Sequence, residues 1–299
     1  MIGRRHFLAM TGSVLAGCAT GAWAADAAKA KKTMGSSSVV SRLAKLEAGV
    51  NGRLGVEILD TASGKHWGYR ADERFPMCST FKFLAASAVL KRVDAGAEQL
   101  DRRIVYGEDV LVSYSPTTAK HVGGDGLSLA QLCEAAITLS DNTAANLILR
   151  SIGGLEPFND FVASLGDGVT RLSRFETELN SAIPGDPRDT TTPAAMTANL
   201  HKVLLGDVLS PASRRQITAW MAANKTGDQR LRAGMAPGWK VGDKTGSGDH
   251  GTTNTVAIIW PPQGKPLLAS IYLTETKAPA ERRNAVLADV GKLIVAGLD

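Results

Sequence analysis

Thr253-Asn254-Thr255-Val256-Ala257-Ile258-Ile259-Trp260, then Pro261-Pro262-Gln263-Gly264, then Leu267-Leu268-Ala269-Ser270-Ile271-Tyr272-Leu273-Thr274: two apolar, β-branched runs flank a turn. Branched side chains suit a pleated surface and lose rotamer freedom in a helix. The Pro-Pro pair interrupts either structure. This stretch is read as two late strands. Downstream, Ala280–Gly297 reads as a closing helix, with Val286, Val290 and Ile294 on one face. At the opposite end of the chain, Leu54, Val56 and Ile58 alternate within Arg53–Asp60, a strand pattern. Thr61-Ala62-Ser63-Gly64 is a turn, and Lys65–Arg70 a partner strand. Val40, Leu43 and Leu46 precede them at helical spacing, ending near Gly49. From Ser79 to about Gly206 the pattern is mostly helical, broken by Gly- and Pro-rich loops. Arg171–Thr192, which holds Pro184 and Pro187, is long for an ordered connection, and such loops are often functional. The expectation is a mixed α/β (α+β) fold. One antiparallel sheet, built from both chain ends and flanked by helices, would hold residues 39–75 and 222–299. An all-helical part, residues 76–221, would be inserted between them, with the active site at the seam.

The chain has 299 residues, 44% of them hydrophobic and 21% charged, with a net charge of +5. That is ordinary globular composition. The mild charge, with no block of five like charges, gives nucleic-acid binding little support. The first 24 residues read as a targeting segment: Arg4-Arg5 precede Phe7-Leu8 and a weakly apolar stretch, closing on Ala22-Trp23-Ala24, an A-x-A cleavage site. The twin arginine is similar to a bacterial twin-arginine export signal, which implies a periplasmic or secreted protein. The run is too short to span a bilayer. Leu15-Ala16-Gly17-Cys18 is similar to a lipoprotein box, which would instead leave a lipid anchor at Cys18. Residues 25–38 read as a flexible leader. Cys78 and Cys133 remain; they form one disulfide if the fold brings them together, and two buried free thiols is the reading preferred.

Four short sets carry chemistry, and each has a bland alternative. Ser79-Thr80-Phe81-Lys82 follows a helix-entry proline, Pro76, and residues three apart share a helix face. A serine nucleophile needs a nearby base, and a lysine among apolar groups can lose its proton to serve. The alternative is an N-cap serine and a surface lysine. Ser140-Asp141-Asn142 offers a proton-shuttle hydroxyl and a substrate-holding amide, or simply a helix cap. Lys244-Thr245-Gly246 presents a cation and hydroxyls to a carboxylate, or is a hairpin with a surface lysine. Glu176, in Glu176-Thr177-Glu178-Leu179-Asn180, is a carboxylate base holding a water with Asn180, or closes a capping box begun by Ser173. Two decoys fall away. Gly246–Gly251 matches G-x-G-x-x-G but is followed by a strand, so the dinucleotide reading fails. Asp243 interrupts what would be half a phosphate loop at Gly242–Thr245.

Together, in this order, the four sets resemble the class A β-lactamases over roughly residues 38–299. The resemblance implies that Ser79 attacks the lactam carbonyl, with Lys82 or Glu176 as base for that step, and that Glu176 activates the hydrolytic water. It implies that Ser140 passes a proton to the leaving nitrogen, and that the backbone N–H groups of Ser79 and Ser247 form the oxyanion hole. Asn142 would hold the substrate amide. Lys244, Thr245, Ser247 and Arg230 would receive its carboxylate, with Arg283 as the other candidate arginine, and Tyr114 would wall the cleft. Asp189 would pair with Arg174 to pin the loop.

The chain departs from the family's pattern at three places. Thr253 stands where many members carry an arginine. Gly248 stands where some place a cysteine to bridge the one at Cys78, which lowers the expectation of carbapenem hydrolysis. Ser87 stands where others pair with the cysteine matching Cys133. Penicillins and cephalosporins are the expected substrates. No cofactor and no metal are expected: His66, His121, His201 and His250 are isolated, without metalloprotease spacing. A monomer without nucleic-acid partners or a membrane span is expected. A D,D-peptidase (penicillin-binding protein) or a non-hydrolysing β-lactam sensor shares the acylating parts. Glu176 with Asn180 discriminates, because without a positioned base the ester persists.

Overall fold

The computed structural model describes residues 38–298. The targeting segment, its cleavage site and Cys18 lie outside the described residues. A helix over residues 38–48, α1, leads into strands β1 (Arg53–Asp60), β2 (His66–Tyr69) and the short β3 (Phe75–Pro76). A 3-10 turn, Cys78–Thr80, opens α2 (Phe81–Asp94). After β4 (Arg103–Ile104) and β5 (Leu127–Ser128) come α3 (Leu129–Thr138), α4 (Asn142–Ser151) and α5 (Leu155–Ser164). β6 (Thr190–Thr191) precedes α6 (Pro193–Leu204) and α7 (Pro211–Ala222). The chain closes with β7 (Lys240–Ser247), β8 (Thr253–Trp260), β9 (Leu267–Thr274) and α8 (Ala280–Val295). No helix among the described residues is long and apolar enough to cross a membrane.

The strands from both chain ends form one five-stranded sheet in the order β2-β1-β9-β8-β7, every pair antiparallel. The sheet has no broad solvent face, which is why β8 reads as almost continuously apolar rather than alternating. Ala257 and Ile259 pack on one side with Val56, Ile58, Val286, Val290 and Ile294, beneath α1 and α8. Val256 and Ile258 point the other way, into the core shared with the helical region. The Leu54-Val56-Ile58 row lies on the α1/α8 side, but Glu57 within it and Leu59 just beyond it are buried too. On α1 Leu43 is buried and Leu46 packs against the same core, as expected, but the stripe opens on Val39, with Val40 only half-buried. α8 stops at Val295, two residues short of the expected end.

The helical region is organised around α2, whose first ten residues are all buried. A helix apolar on every side belongs inside a core. Phe81 meets Phe158 of α5 edge to face, with ring centroids 6.1 Å apart. Each fully buried side chain of this size contributes about 1.5–3 kcal/mol. Lys82, in the first turn of α2, carries a charge into this core and is fully buried. The surrounding helices start on sequence-encoded caps. Ser128 and Gln131 form a reciprocal capping box for α3, and Thr192 and Ser210 cap α6 and α7 ahead of Pro193 and Pro211.

Candidate active site

The seam between sheet and helices opens as a cleft of roughly 380 Å3 lined by Ser79, Tyr114, Ser140, Asn142, Asn180, Thr226, Arg230, Thr245, Gly246 and Ser247. Ser79 sits in the 3-10 turn at the entrance to α2, where unpaired N–H groups favour negative charge. Two features hold this turn against β7. Asn254 Nδ2 on β8 donates to the carbonyls of Pro76 and Met77 at 2.9 and 3.1 Å. Gly246 passes so close that a Cβ there would lie 2.8 Å from the Met77 carbonyl.

Ser79 Oγ donates to Glu176 Oε1 at 3.1 Å, and Lys82 Nζ lies 2.9 Å from the same oxygen. Lys82 also donates to the Ser140 carbonyl at 2.8 Å and to Asn142 Oδ1 at 2.6 Å. Burial pushes Lys82 below the ordinary lysine value, with the Glu176 carboxylate pulling the other way. The alternative of a surface lysine is therefore excluded. Lys244, equally buried on β7, donates to Ser140 Oγ at 3.0 Å and to the Thr245 carbonyl at 2.7 Å. Its pKa is held well below the ordinary value, first by burial and then by the charge of Lys82. Lys82 Nζ is 3.4 Å from Ser140 Oγ as well. An oxygen that accepts from two cations keeps its own proton free to donate elsewhere.

In Ser140-Asp141-Asn142 the cap falls on Asp141, while Ser140 and Asn142 line the cleft. Asp141 is the N-cap of α4, accepting from the Ala144 N–H. Its other oxygen accepts from the N–H groups of Thr117 and Thr118 at 2.9 Å, tying down the loop that carries Tyr114. The left-handed backbone at Ser140, φ 60°, turns its side chain toward both lysines. Asn142 Nδ2 donates to the Ser113 carbonyl. Tyr114 is 61% exposed at the mouth of the cleft.

Glu176 is carried by the long loop, and no helix begins there, so Ser173 and Glu176 form no capping box. Asp189, fully buried, accepts from the N–H groups of Ser173 and Arg174 and from Arg174 Nε at 2.6 Å. This closes the neck of the loop, where β6 pairs with β3. Further along, Glu176 is clamped at its backbone by Asn146 of α4, N–H to Oδ1 and Nδ2 to carbonyl, both at 2.9 Å. Asn180 Nδ2 donates to Glu176 Oε2 at 2.5 Å, while Asn180 Oδ1 is buried without a hydrogen-bond partner. Asn146 was not singled out from the sequence. Its signal was there: it lies one helical turn beyond Asn142.

Arg230 lies beside β7, its guanidinium donating to the carbonyls of Gly246 and Asn254 and to Ser247 Oγ at 2.7 Å. Arg283 instead donates to Thr253 Oγ1 and to the Ala278 carbonyl, so Arg230 is the arginine that lines the cleft. Gly248 stands directly over Cys78: a Cβ there would lie 2.6 Å from Sγ. Cys78 and Cys133 are both buried and free. Thr226, which also lines the cleft, and Asp243 behind it were not identified from sequence.

The model of the β-lactamase enzyme family matches residues 38–298. β-Lactamase FAR-1 of Nocardia farcinica is 48% identical over 258 residues, covering 86% of this chain and 82% of its own. β-Lactamase L2 of Stenotrophomonas maltophilia is 44% identical over 302 residues, 98% of each chain. Among solved structures, an ancestral class A β-lactamase, GNCA, reconstructed for the Gram-negative bacteria, is 62% identical with a TM-score of 0.85. The match covers 86% of this chain and 99% of that one.

Proposed function

The chain belongs to the class A β-lactamases, and from that membership we propose that it hydrolyses the β-lactam amide bond through a covalent ester on Ser79. It is a β-lactamase, an enzyme that confers antibiotic resistance. The observation that carries the serine route is the contact between Ser79 Oγ and Glu176 Oε1, shared with Lys82 Nζ. These three groups act as one proton-sharing unit, in which the coupled Lys82–Glu176 pair takes the Ser79 proton as Oγ attacks the lactam carbonyl. The new C–O bond forms as the carbonyl becomes an oxyanion, received by the N–H groups of Ser79 and Ser247. Collapse breaks the C–N bond, and Ser140 gives the nitrogen its proton, replenished from Lys82 or Lys244. Glu176 then takes a proton from water, with the unpartnered Asn180 Oδ1 as that water's second acceptor. Hydroxide adds to the ester carbonyl, the Ser79 C–O bond breaks, and Ser79 regains its proton. Asn142 holds the substrate's side-chain amide. Lys244, Thr245, Ser247 and Arg230 receive its carboxylate, and Tyr114 forms the wall.

Penicillins and cephalosporins are the proposed substrates. Carbapenem hydrolysis is not favoured, since Gly248 leaves Cys78 unbridged. The enzyme needs no metal in this scheme and works as a monomer. Residues 39–75 and 222–299 form its sheet subdomain, and residues 76–221 its helical one. Export through the twin-arginine segment would place it in the periplasm or outside the cell. Ser79→Ala is expected to lower kcat by at least a thousandfold while a penicillin still binds, measured by hydrolysis and by calorimetry. Retained turnover would refute the ester.

A further inference from the structure

Behind the residues proposed to receive the carboxylate runs a row of hydrogen bonds whose polarity is fixed atom by atom. It starts at Asp243, fully buried on β7. Asp243 Oδ1 accepts from Arg232 Nε and NH2, each at 2.7 Å, and Oδ2 accepts from Asn224 Nδ2 at 3.0 Å. The Asn224 amide is oriented from both sides, because its Oδ1 accepts the backbone N–H of Thr226 at 3.0 Å, a donor that cannot reverse. The same Oδ1 lies 2.8 Å from Thr226 Oγ1. An amide oxygen only accepts, so the single Thr226 proton points there. Thr226 Oγ1 also meets Thr245 Oγ1 at 2.5 Å. With the Thr226 proton committed inward, Thr245 is the donor in that contact. From Thr245 through Thr226 and Asn224 to Asp243, each of these donated protons therefore points away from the cleft, and Thr245 turns lone pairs toward it.

A carboxylate is also an acceptor only. To hold one, Thr245 must rotate its proton outward and give up its bond to Thr226. We propose that Thr226 is a positioning residue, holding the Thr245 hydroxyl in acceptor polarity and so weakening capture of the substrate carboxylate. The proposal rests on the reading of Lys244, Thr245 and Ser247 as the carboxylate site. The forfeited bond is a neutral one, and its net value corresponds to about fivefold in affinity.

The test is Thr226→Val, close in shape but without the hydroxyl, assayed with a penicillin. The expected result is a KM about fivefold lower with kcat unchanged, and a return to the wild-type KM in Thr226→Ser. Thr226→Ala serves should the valine variant fold poorly. A KM that stays or rises overturns the proposal, because a Thr226 that touches the carboxylate, or merely supports the loop, gives no gain on removal. Thr245→Val separates the two readings. It is expected to raise KM and to cancel the gain from Thr226→Val in the double variant. If Thr245→Val alone raises KM while Thr226→Val lowers nothing, the row falls and the carboxylate site stands. If Thr245→Val leaves KM unchanged, both fall.

Discussion

Lys244 has no solvent contact of its own, yet the account asks it to meet an anion. Burial and the neighbouring Lys82 charge, joined by Arg230, push its pKa well below the ordinary lysine value of about 10.4, against Asp243 and Glu176. The sign for binding follows. Below its lowered pKa the ammonium is present and attracts a carboxylate. As pH rises through that value the charge is lost and KM climbs, earlier than a surface lysine would allow. Lys244→Arg keeps its charge across the whole range. Measured from pH 6 to pH 10, KM is expected to rise on the alkaline side in the wild type and to stay flatter in Lys244→Arg; parallel profiles would remove Lys244 from carboxylate binding. At this scale the sequence was legible where a residue belongs to a spaced set, as Ser79 with Lys82 and Glu176 with Asn180 do. It gave no role at the site to Thr226, Asn254 or Asp243, whose partners lie 19, 177 and 11 positions away. Nothing in local spacing connects residues that meet only after the sheet has closed.

The element proposed to set the chemistry is the loop between Arg171 and Thr192. It holds Glu176 and Asn180 without a helix or strand of its own at Glu176, so its shape depends on a few polar clamps. Asp189 is the strongest of them, because it answers two backbone N–H groups and one guanidinium from inside the protein. Removing one partner of a buried ion pair costs about 3–5 kcal/mol. Asp189→Asn is therefore expected to lower Tm by about 6–20 °C and to cut kcat at least tenfold, with ester accumulating because the base for water is no longer held. Calorimetry and steady-state kinetics check this; a variant with wild-type Tm and kcat would show that the loop does not depend on Asp189. The loop's length and prolines announced it in the sequence, but its clamps did not, apart from the Arg174–Asp189 pairing that the family resemblance implied. Strands and helices were more legible. β8 and β9 match the apolar runs residue for residue, since β-branched side chains and the Pro-Pro turn fix both ends. On α1 Leu43 and Leu46 face the core as their spacing implies, but Val39 takes the place expected of Val40, because the two are equally apolar and only packing under the sheet chooses between them.

Over the whole molecule, two cores share one sheet, and the groups proposed to react lie where they meet. Ser79 and Lys82 come from the helical side and Lys244 and Thr245 from the sheet's edge strand. Ser140 accepts from one lysine of each side. That arrangement explains why no single motif was decisive: each had a reasonable reading as a cap or a surface charge until the fold brought all four together. It also separates the two halves of the reaction. Without Glu176, Lys82 loses the carboxylate that opposes its burial, drops its proton more readily and can still serve Ser79. Among the described residues that line the cleft there is no carboxylate to take over the role proposed for Glu176 toward water. Glu176→Ala mixed with a penicillin and followed by intact-protein mass spectrometry tests this most directly. The account predicts a stable adduct of one penicillin mass, mapped by peptide digestion to Ser79, with turnover all but lost. Turnover near the wild-type rate, or an adduct on any other residue, would contradict it.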